Sequence, residues 1–246
     1  MFFTKKNKNI TAQEIYSELR ADMHSHLLPG IDDGAPDLNA SVRLIKGMQQ
    51  LGFKKLVTTP HILWDIYKNT KDIIEQKFAE LKSKLQEEKI DVGIQAAAEY
   101  YIDDHVEQLL REKKPLLSFG KKFVLVEFSL ASLPLDLKDV LFEMQLQGYQ
   151  PVIAHPERYA YLADRKKYFD ELKDSGCLFQ LNILSLSNHY GREVAELAHY
   201  FCKKNYYDLI GTDLHHSRHL EALQQPSLFT PLKRLLDSGR IQNASL

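Results

Sequence analysis

Seven short apolar runs, at residues 21–23, 55–59, 92–97, 123–128, 151–154, 178–181 and 209–211, alternate with longer amphipathic segments along the chain. That alternation is the pattern of βα units laid around a parallel sheet. Several runs, such as FVLVEF, VIAH and LIGTD, are continuously apolar, as strands buried on both faces require. The segments between them carry the helical period. Asp37 or Asn39 can cap a helix that runs through Gln50, with Val42, Leu44, Ile45, Met48 and Leu51 on its apolar side and Gly52 as a stop. Residues 69–88 form a longer amphipathic helix with Ile73, Ile74, Phe78, Leu81 and Leu85 inward. Further helices are expected over 103–112, 135–147, 164–175, 192–204 and 231–238. No Pro-, Gly- or Ser-rich linker interrupts the series, so residues 21–246 read as one domain, preceded by an extension over 1–20 with a helix near 10–19.

Strand and helix alternating in this way fit an open doubly wound sheet or a closed barrel, and periodicity does not choose between them. The polar residues do. His24 and His26 follow the first strand, His61 the second and Glu99 the third; Glu127 lies in the fourth, His155 ends the fifth, and Asp213 and His215 end the seventh. Six of the seven strands thus put a metal-ligand type at their C-terminal ends, which converge on one ring in a barrel. A lone histidine after a strand is ordinarily a hydrogen-bonded loop residue, but the whole set has no such reading. Glu127 is the sharpest member: a carboxylate inside FVLVEFSL has to be paired or bound to a cation. His24 and His26 alternate at i and i+2, so extended backbone turns both imidazoles to one side. With Asp32 there are nine candidate ligands, enough for two or three divalent ions. The His and carboxylate mixture without thiolate suits Mn, Fe, Zn or Mg.

Of the ten histidines, His105, His189 and His199 are expected in helical segments with structural or surface roles, and His216 and His219 are left unassigned. The charge balance, 32 Lys+Arg against 33 Asp+Glu, argues against broad electrostatic binding to nucleic acid. Cys177 and Cys202 have neither zinc spacing nor a disulfide framework and are expected to be reduced, buried thiols. Ile183 and Asp208 stand where a cysteine phosphatase needs arginine, so neither thiol is a candidate nucleophile. No apolar run reaches the ~20 residues of a membrane span, and MFFTKKNKNI has no apolar signal region, which makes the cytoplasm the expected compartment.

Asp22-x-His24-x-His26 followed by LLPGIDDG resembles the first motif of the polymerase and histidinol phosphatase (PHP) superfamily. The longer string HSHLLPGIDDGAPD, with TTPHI, AAAEYYID, VLVEFS, AHPERY and GTDLHH, more narrowly resembles the bacterial tyrosine-protein phosphatases of capsule and exopolysaccharide clusters, the CpsB/YwqE type. The resemblance runs from about Ala21 to the final helix. It implies a distorted (β/α)7 TIM-like barrel holding three metals, Mn foremost. His24, His26, Glu99 and Asp213 would hold one ion, Glu99, Glu127 and His155 a second, and Asp32, His61 and His215 the third. It further implies phosphate-gripping arginines, matched by Arg158 of HPERY and more weakly by Arg218.

The implied activity is hydrolysis of phosphotyrosine by in-line attack of water activated at the metals, without a phospho-enzyme. The implied partner is the C-terminal tail of a bacterial tyrosine kinase in polysaccharide export; neither nucleic acid nor membrane insertion is expected. Trp64, Tyr67, Tyr100 and Tyr101 lie on loops near the ring and could stack on a substrate ring or simply pack. Two alternatives remain from the residues alone: a small-molecule phosphomonoesterase of the superfamily, such as a histidinol-phosphate phosphatase, and a silent metal-binding regulator that docks on a kinase.

Overall fold

The computed structural model describes residues 10–246, so the first nine residues of the expected N-terminal extension lie outside the described residues. Nine strands are present among them: β1 (Ala21–Asp22), β2 (Lys55–Thr58), β3 (His61–Ile62), β4 (Gly93–Ala96), β5 (Glu99–Tyr101), β6 (Phe123–Glu127), β7 (Gln150–Ile153), β8 (Leu178–Asn182) and β9 (Leu209–Gly211). All named pairings are parallel, in two sheets ordered β1-β2-β4 and β3-β5-β6-β7-β8-β9. The expected α/β class with parallel strands is therefore present. Each of the seven expected runs contains a strand, but the second and third are followed closely by β3 and β5. Pro60 has no N–H to donate and stands in the gap after β2. The break at Thr59-Pro60 lies beside the one at Ala97-Ala98, because Ala97 N donates to Thr58 O and Glu99 N to Pro60 O.

No ladder joins β9 to β1 among the described residues; side chains and short contacts span that seam. Asp22 accepts from Thr212 N (2.8 Å) and Thr212 Oγ1 (3.0 Å). Asn243 accepts from Ile210 N and donates to the carbonyls of Ala21 and Ile210. Higher up, Asp213 N donates to His24 O and His26 N to Leu214 O, with Ser25 and Leu214 bridged in parallel.

The helices are α1 (Ala12–Leu19), α2 (Leu38–Leu51), α3 (Lys71–Glu87), α4 (Asp104–Arg111), α5 (Leu137–Leu146), α6 (Lys167–Asp174), α7 (Arg192–Lys204), α8 (Ser217–Ala222) and α9 (Phe229–Asp237). Asp37 caps α2 through Ala40 N, and Gly52 ends it at φ 115°. The start of α3 differs from expectation. Thr70 is its cap, while Asn69 donates to the carbonyls of Ile31 and His61 and so ties two loops together. Ile73, expected inward, is 38% exposed; the face of α3 turned to the core carries Ile74, Leu81 and Leu85, with Phe78 partly buried beside them. α1 packs beside α2 and α9, with the Tyr16 hydroxyl donating to Leu223 O. No described helix is long and apolar enough to cross a membrane.

Strand alternation sorts the core. Val124 and Val126 join the large cluster under the helices, whereas Phe123 and Leu125 belong to a smaller one with Met23, Val57, Val152 and Leu209. Each fully buried Leu or Val in these clusters stabilises the fold by roughly 1.5–3 kcal/mol. Glu127 continues the Phe123–Leu125 face at period 2, so the register that packs the smaller cluster also aims the carboxylate above it. Both cysteines are free: Cys177 is buried, while Cys202 is only half-buried on α7.

Candidate metal centre

After β1, Ser25 bridges Leu214 in parallel, and His24 and His26 flanking it turn to the same side, as their spacing predicts. His24 Nδ1 donates to Gln180 Oε1 (3.0 Å) and His26 Nδ1 to Asp32 Oδ2 (2.8 Å). These bonds orient both rings and leave the two Nε2 atoms facing each other at 3.2 Å. Glu99 Oε2 lies 3.1 Å and 3.4 Å from them, and Asp213 Oδ1 3.3 Å and 3.5 Å. His24, His26 and Asp213 form one group able to hold a metal ion, and Glu99 joins His24 and His155 in another. All four residues are buried, and their imidazoles and carboxylates suit a divalent cation.

Glu99 is the hub of the remainder. In the β3–β5 register His61 is directly opposite Glu99. His61 Nδ1 lies 3.3 Å from Glu99 Oε2, and His155 Nε2 lies 3.3 Å from Glu99 Oε1 and 3.7 Å from Glu127 Oε1. Despite this proximity, Glu99 Oε1, His61 Nδ1 and His155 Nδ1 make no hydrogen bond, although all three are buried. An unsatisfied buried polar group costs about 1–3 kcal/mol; Glu99 Oε1 and His61 Nδ1 are turned toward the cluster, where a cation would partner them, whereas His155 faces it through Nε2.

The third group departs from expectation. Asp32 is turned inward, where it accepts from His26 Nδ1, Gly34 N and His61 N. Its neighbour Asp33 takes the expected place, with Oδ1 3.6 Å from His61 Nε2 and 3.4 Å from His215 Nε2. His26, Asp33, His61 and His215 together can hold an ion. His215 Nδ1 donates to Asp213 O (2.9 Å), which leaves its Nε2 free for this role. Asp33→Asn is expected to lower the bound metal by about one ion per chain. Asp32→Asn should keep full stoichiometry at saturating metal while weakening affinity about 10–100-fold, as loss of an orienting partner does. Metal analysis of the two variants separates the roles, and the reverse pattern would restore Asp32 as the ligand.

The electrostatics follow from the crowding. Burial pushes His24 down, but Glu99 and Asp213 more than offset it and hold the imidazole up at about 9. Burial opposes charge on His26 too, and Asp32 with Asp213 raises it well above the usual range. Since the two Nε2 atoms face each other, at most one proton sits between them. Burial, reinforced by the charge of Glu99, raises Glu127 to about 8. Burial and then Arg158 lower His155 to about 4. His155 (φ 30°) and Asp213 (φ 51°) also adopt left-handed backbone, which costs non-glycine residues of order 1–3 kcal/mol each. His155 N donates to Gln180 Oε1 and Asp213 N to His24 O, so the surrounding bonds fix the strained positions.

A cleft of about 450 Å³ opens over this wall. Arg158 lines it, with Nη1 donating to Asp213 Oδ2 (2.9 Å) and its guanidinium 4.8 Å from the Tyr190 ring centre. Arg218 does not line it. α8 begins at Ser217, and its buried histidine is His219, whereas Arg218 is exposed. His216 and His219, left unassigned in the sequence, both line the cleft; His189 lies in a 3-10 turn (Asn188–Tyr190) rather than a helix and meets the His219 ring edge-on at 5.4 Å. His105 and His199 are on α4 and α7, as expected. Of the four loop aromatics only Tyr67 lines the cleft, stacked on His61. Trp64 stacks on His105, and Tyr100 is buried and accepts from Leu117 N.

Gln180, Asn182 and Tyr190 escaped the sequence reading. Gln180 orients His24, and Asn182 Nδ2 donates to Asp213 Oδ2 (3.0 Å) and to the Tyr190 hydroxyl (3.2 Å). The available signal was two amides in LFQLN, the one strand without an ionisable ligand: buried amides need specific partners. Gly211 permits the packing here, because a Cβ would lie 2.6 Å from His24 Cβ.

Residues 20–232 match the family described as capsular polysaccharide synthesis, CpsB/CapC. Tyrosine-protein phosphatase YwqE of Bacillus subtilis is 27% identical over 208 residues, covering 85% of this chain and 82% of that protein. Tyrosine-protein phosphatase CpsB of Streptococcus agalactiae is 31% identical over 200 residues, 79% of this chain and 82% of that protein. A solved structure from work on YwqE of Bacillus subtilis and CpsB of Streptococcus pneumoniae, metal-dependent tyrosine phosphatases, has a TM-score of 0.75 at 26% identity. The match covers 90% of this chain and 96% of that one.

Proposed function

The chain belongs to the CpsB/CapC family of capsular polysaccharide synthesis, and we propose that it is a metal-dependent protein-tyrosine phosphatase. The observation that carries this reading is the close approach of Glu99 and Asp213 to the facing Nε2 atoms of His24 and His26, beside Arg158 in an open cleft. His61, Glu127, His155, His215 and Asp33 would hold further ions, two or three in all, with Mn the leading candidate. Divalent cations in this donor set would lower the pKa of a ligated water and neutralise phosphoryl oxygens.

The protein's own groups do the rest. Arg158 offers planar, permanently charged donors for two phosphate oxygens, and Tyr190 stacks on the guanidinium to restrict it. A phenol leaves with a pKa near 10, so a strong proton donor is less necessary than for an alkyl phosphate. Neither thiol lines the cleft: burial raises Cys177, and burial and Glu157 push Cys202 up to about 12. We read the two sheets as one distorted (β/α)7 barrel split at its second and third strands. The substrate we favour is a phosphorylated tail of a bacterial tyrosine kinase governing capsule or exopolysaccharide synthesis, met in the cytoplasm.

Activity on a phosphotyrosine peptide is expected to disappear after EDTA treatment and return with Mn. Full turnover by metal-stripped protein would refute the proposal, as would a strong preference for histidinol phosphate over the peptide.

A further inference from the structure

The cleft has an apolar side that the phosphate chemistry does not use. Ile66 and Leu130 line it, yet they are 67% and 43% exposed and stand among the few large hydrophobic residues open to solvent. Ile66 belongs to the turn after β3. There Leu63 and Tyr67 exchange backbone bonds (3.2 Å and 2.7 Å), and Ile66 N donates to Leu63 O (3.0 Å). Trp64 in the same turn is stacked on His105 at 3.8 Å, its backbone N–H donating to Asp103 Oδ2, and Tyr67 is stacked on His61 at 5.7 Å. Ile66 alone is left open over the cleft. Leu130 sits in the turn after β6, where Ser129 Oγ accepts from Ala131 N and Ser132 N and the Tyr161 hydroxyl donates to Ser129 O. Two separately fixed turns therefore each present one unpaired aliphatic side chain to the same cleft, whose floor carries Arg158 and the cation donors.

An exposed aliphatic pair facing a phosphate-binding floor matches a ligand with an anionic head and an apolar ring. We infer that Ile66 and Leu130 form an aryl-binding wall that makes the cleft prefer phosphate on an aromatic ring to phosphate on an aliphatic carbon. The inference rests on the phosphatase reading for its substrate but not for its test. Covering about 40–50 Å² of apolar surface on each side chain is worth about fivefold in affinity.

The test uses metal-loaded protein and two unreactive probes, phenylphosphonate and methylphosphonate, with binding followed by calorimetry. Wild-type protein is expected to bind phenylphosphonate more tightly. Ile66→Ser and Leu130→Ser should each weaken that probe about fivefold, and the double variant about 25-fold, with methylphosphonate affinity and metal content unchanged. Equal affinities for the two probes in wild type, an unaltered phenylphosphonate affinity in the double variant, or a parallel loss of methylphosphonate would overturn the wall. A second measurement compares kcat/KM on phosphotyrosine and phosphoserine peptides of one sequence. Failure to turn over phosphotyrosine, with the aryl preference in binding intact and lost in the double variant, would sink the phosphatase reading and leave the wall standing. Rapid phosphotyrosine turnover with no effect of the double variant on probe binding would do the opposite.

Discussion

Glu99→Gln is expected to lower kcat/KM on phosphotyrosine by more than about 10³-fold and to cost the protein most of its bound metal. Among the described residues no other side chain meets so many of the imidazoles: its carboxylate lies within 3.4 Å of His24, His26, His61 and His155. Gln keeps the volume and one oxygen but removes the charge that holds four imidazoles together, and it turns one corner of the site into a donor. The fold should survive, because Glu99 contributes backbone bonds to β5 that the substitution leaves alone. Metal content and far-UV circular dichroism measured alongside activity separate these effects. A Glu99→Gln protein that stays loaded and active would remove the hub from the centre and with it the shared-carboxylate arrangement.

Arg158→Ala is expected to reduce kcat/KM by about 10²–10³-fold, the scale for removing one preorganised charged donor. Arg158→Lys should recover only part of it, since an ammonium is a point charge and cannot form the paired bonds of a planar guanidinium. The loss should fall on both KM and kcat if the arginine grips the phosphate in substrate and transition state alike. Arg158 also donates to Asp213, so its removal could instead disturb the ligands; unchanged metal stoichiometry rules that route out. Wild-type kinetics in Arg158→Ala would show that the anion is held by cations alone.

The parallel α/β architecture was legible because it depends on runs such as FVLVEF, whose burial on both faces leaves a continuous apolar signature. The wall of candidate ligands was legible for the same reason, since a carboxylate such as Glu127 stands out in such a run and His24-x-His26 fixes its own geometry. What sequence could not resolve lies where periodicity stops. Asp32 and Asp33 are adjacent in a turn, and only the dihedrals of that turn decide which carboxylate bonds His26 and which faces His61 and His215. The placement of Arg218 turns on a similar detail: α8 starts at Ser217, which buries His219 and leaves Arg218 in solvent. Gln180 and Asn182 carry no charge, and their importance comes from the strands beside them, which a single strand's pattern cannot report.

The seam between β9 and β1 bears on how the molecule is made. β1 is held to β9 through the amide of Asn243, 222 residues downstream of Ala21. Contacts between such distant parts of a chain form late, because the loop must be closed before they are rewarded. During vectorial synthesis β1 can pair with β2 early, but its other side stays open until β9 emerges, with His24 and His26 at its end and their companion Asp213 not yet made. Ions captured before that point would meet an incomplete donor set. Metal loading is therefore expected to be an event of the finished chain, and the order of assembly itself guards against filling the site too early.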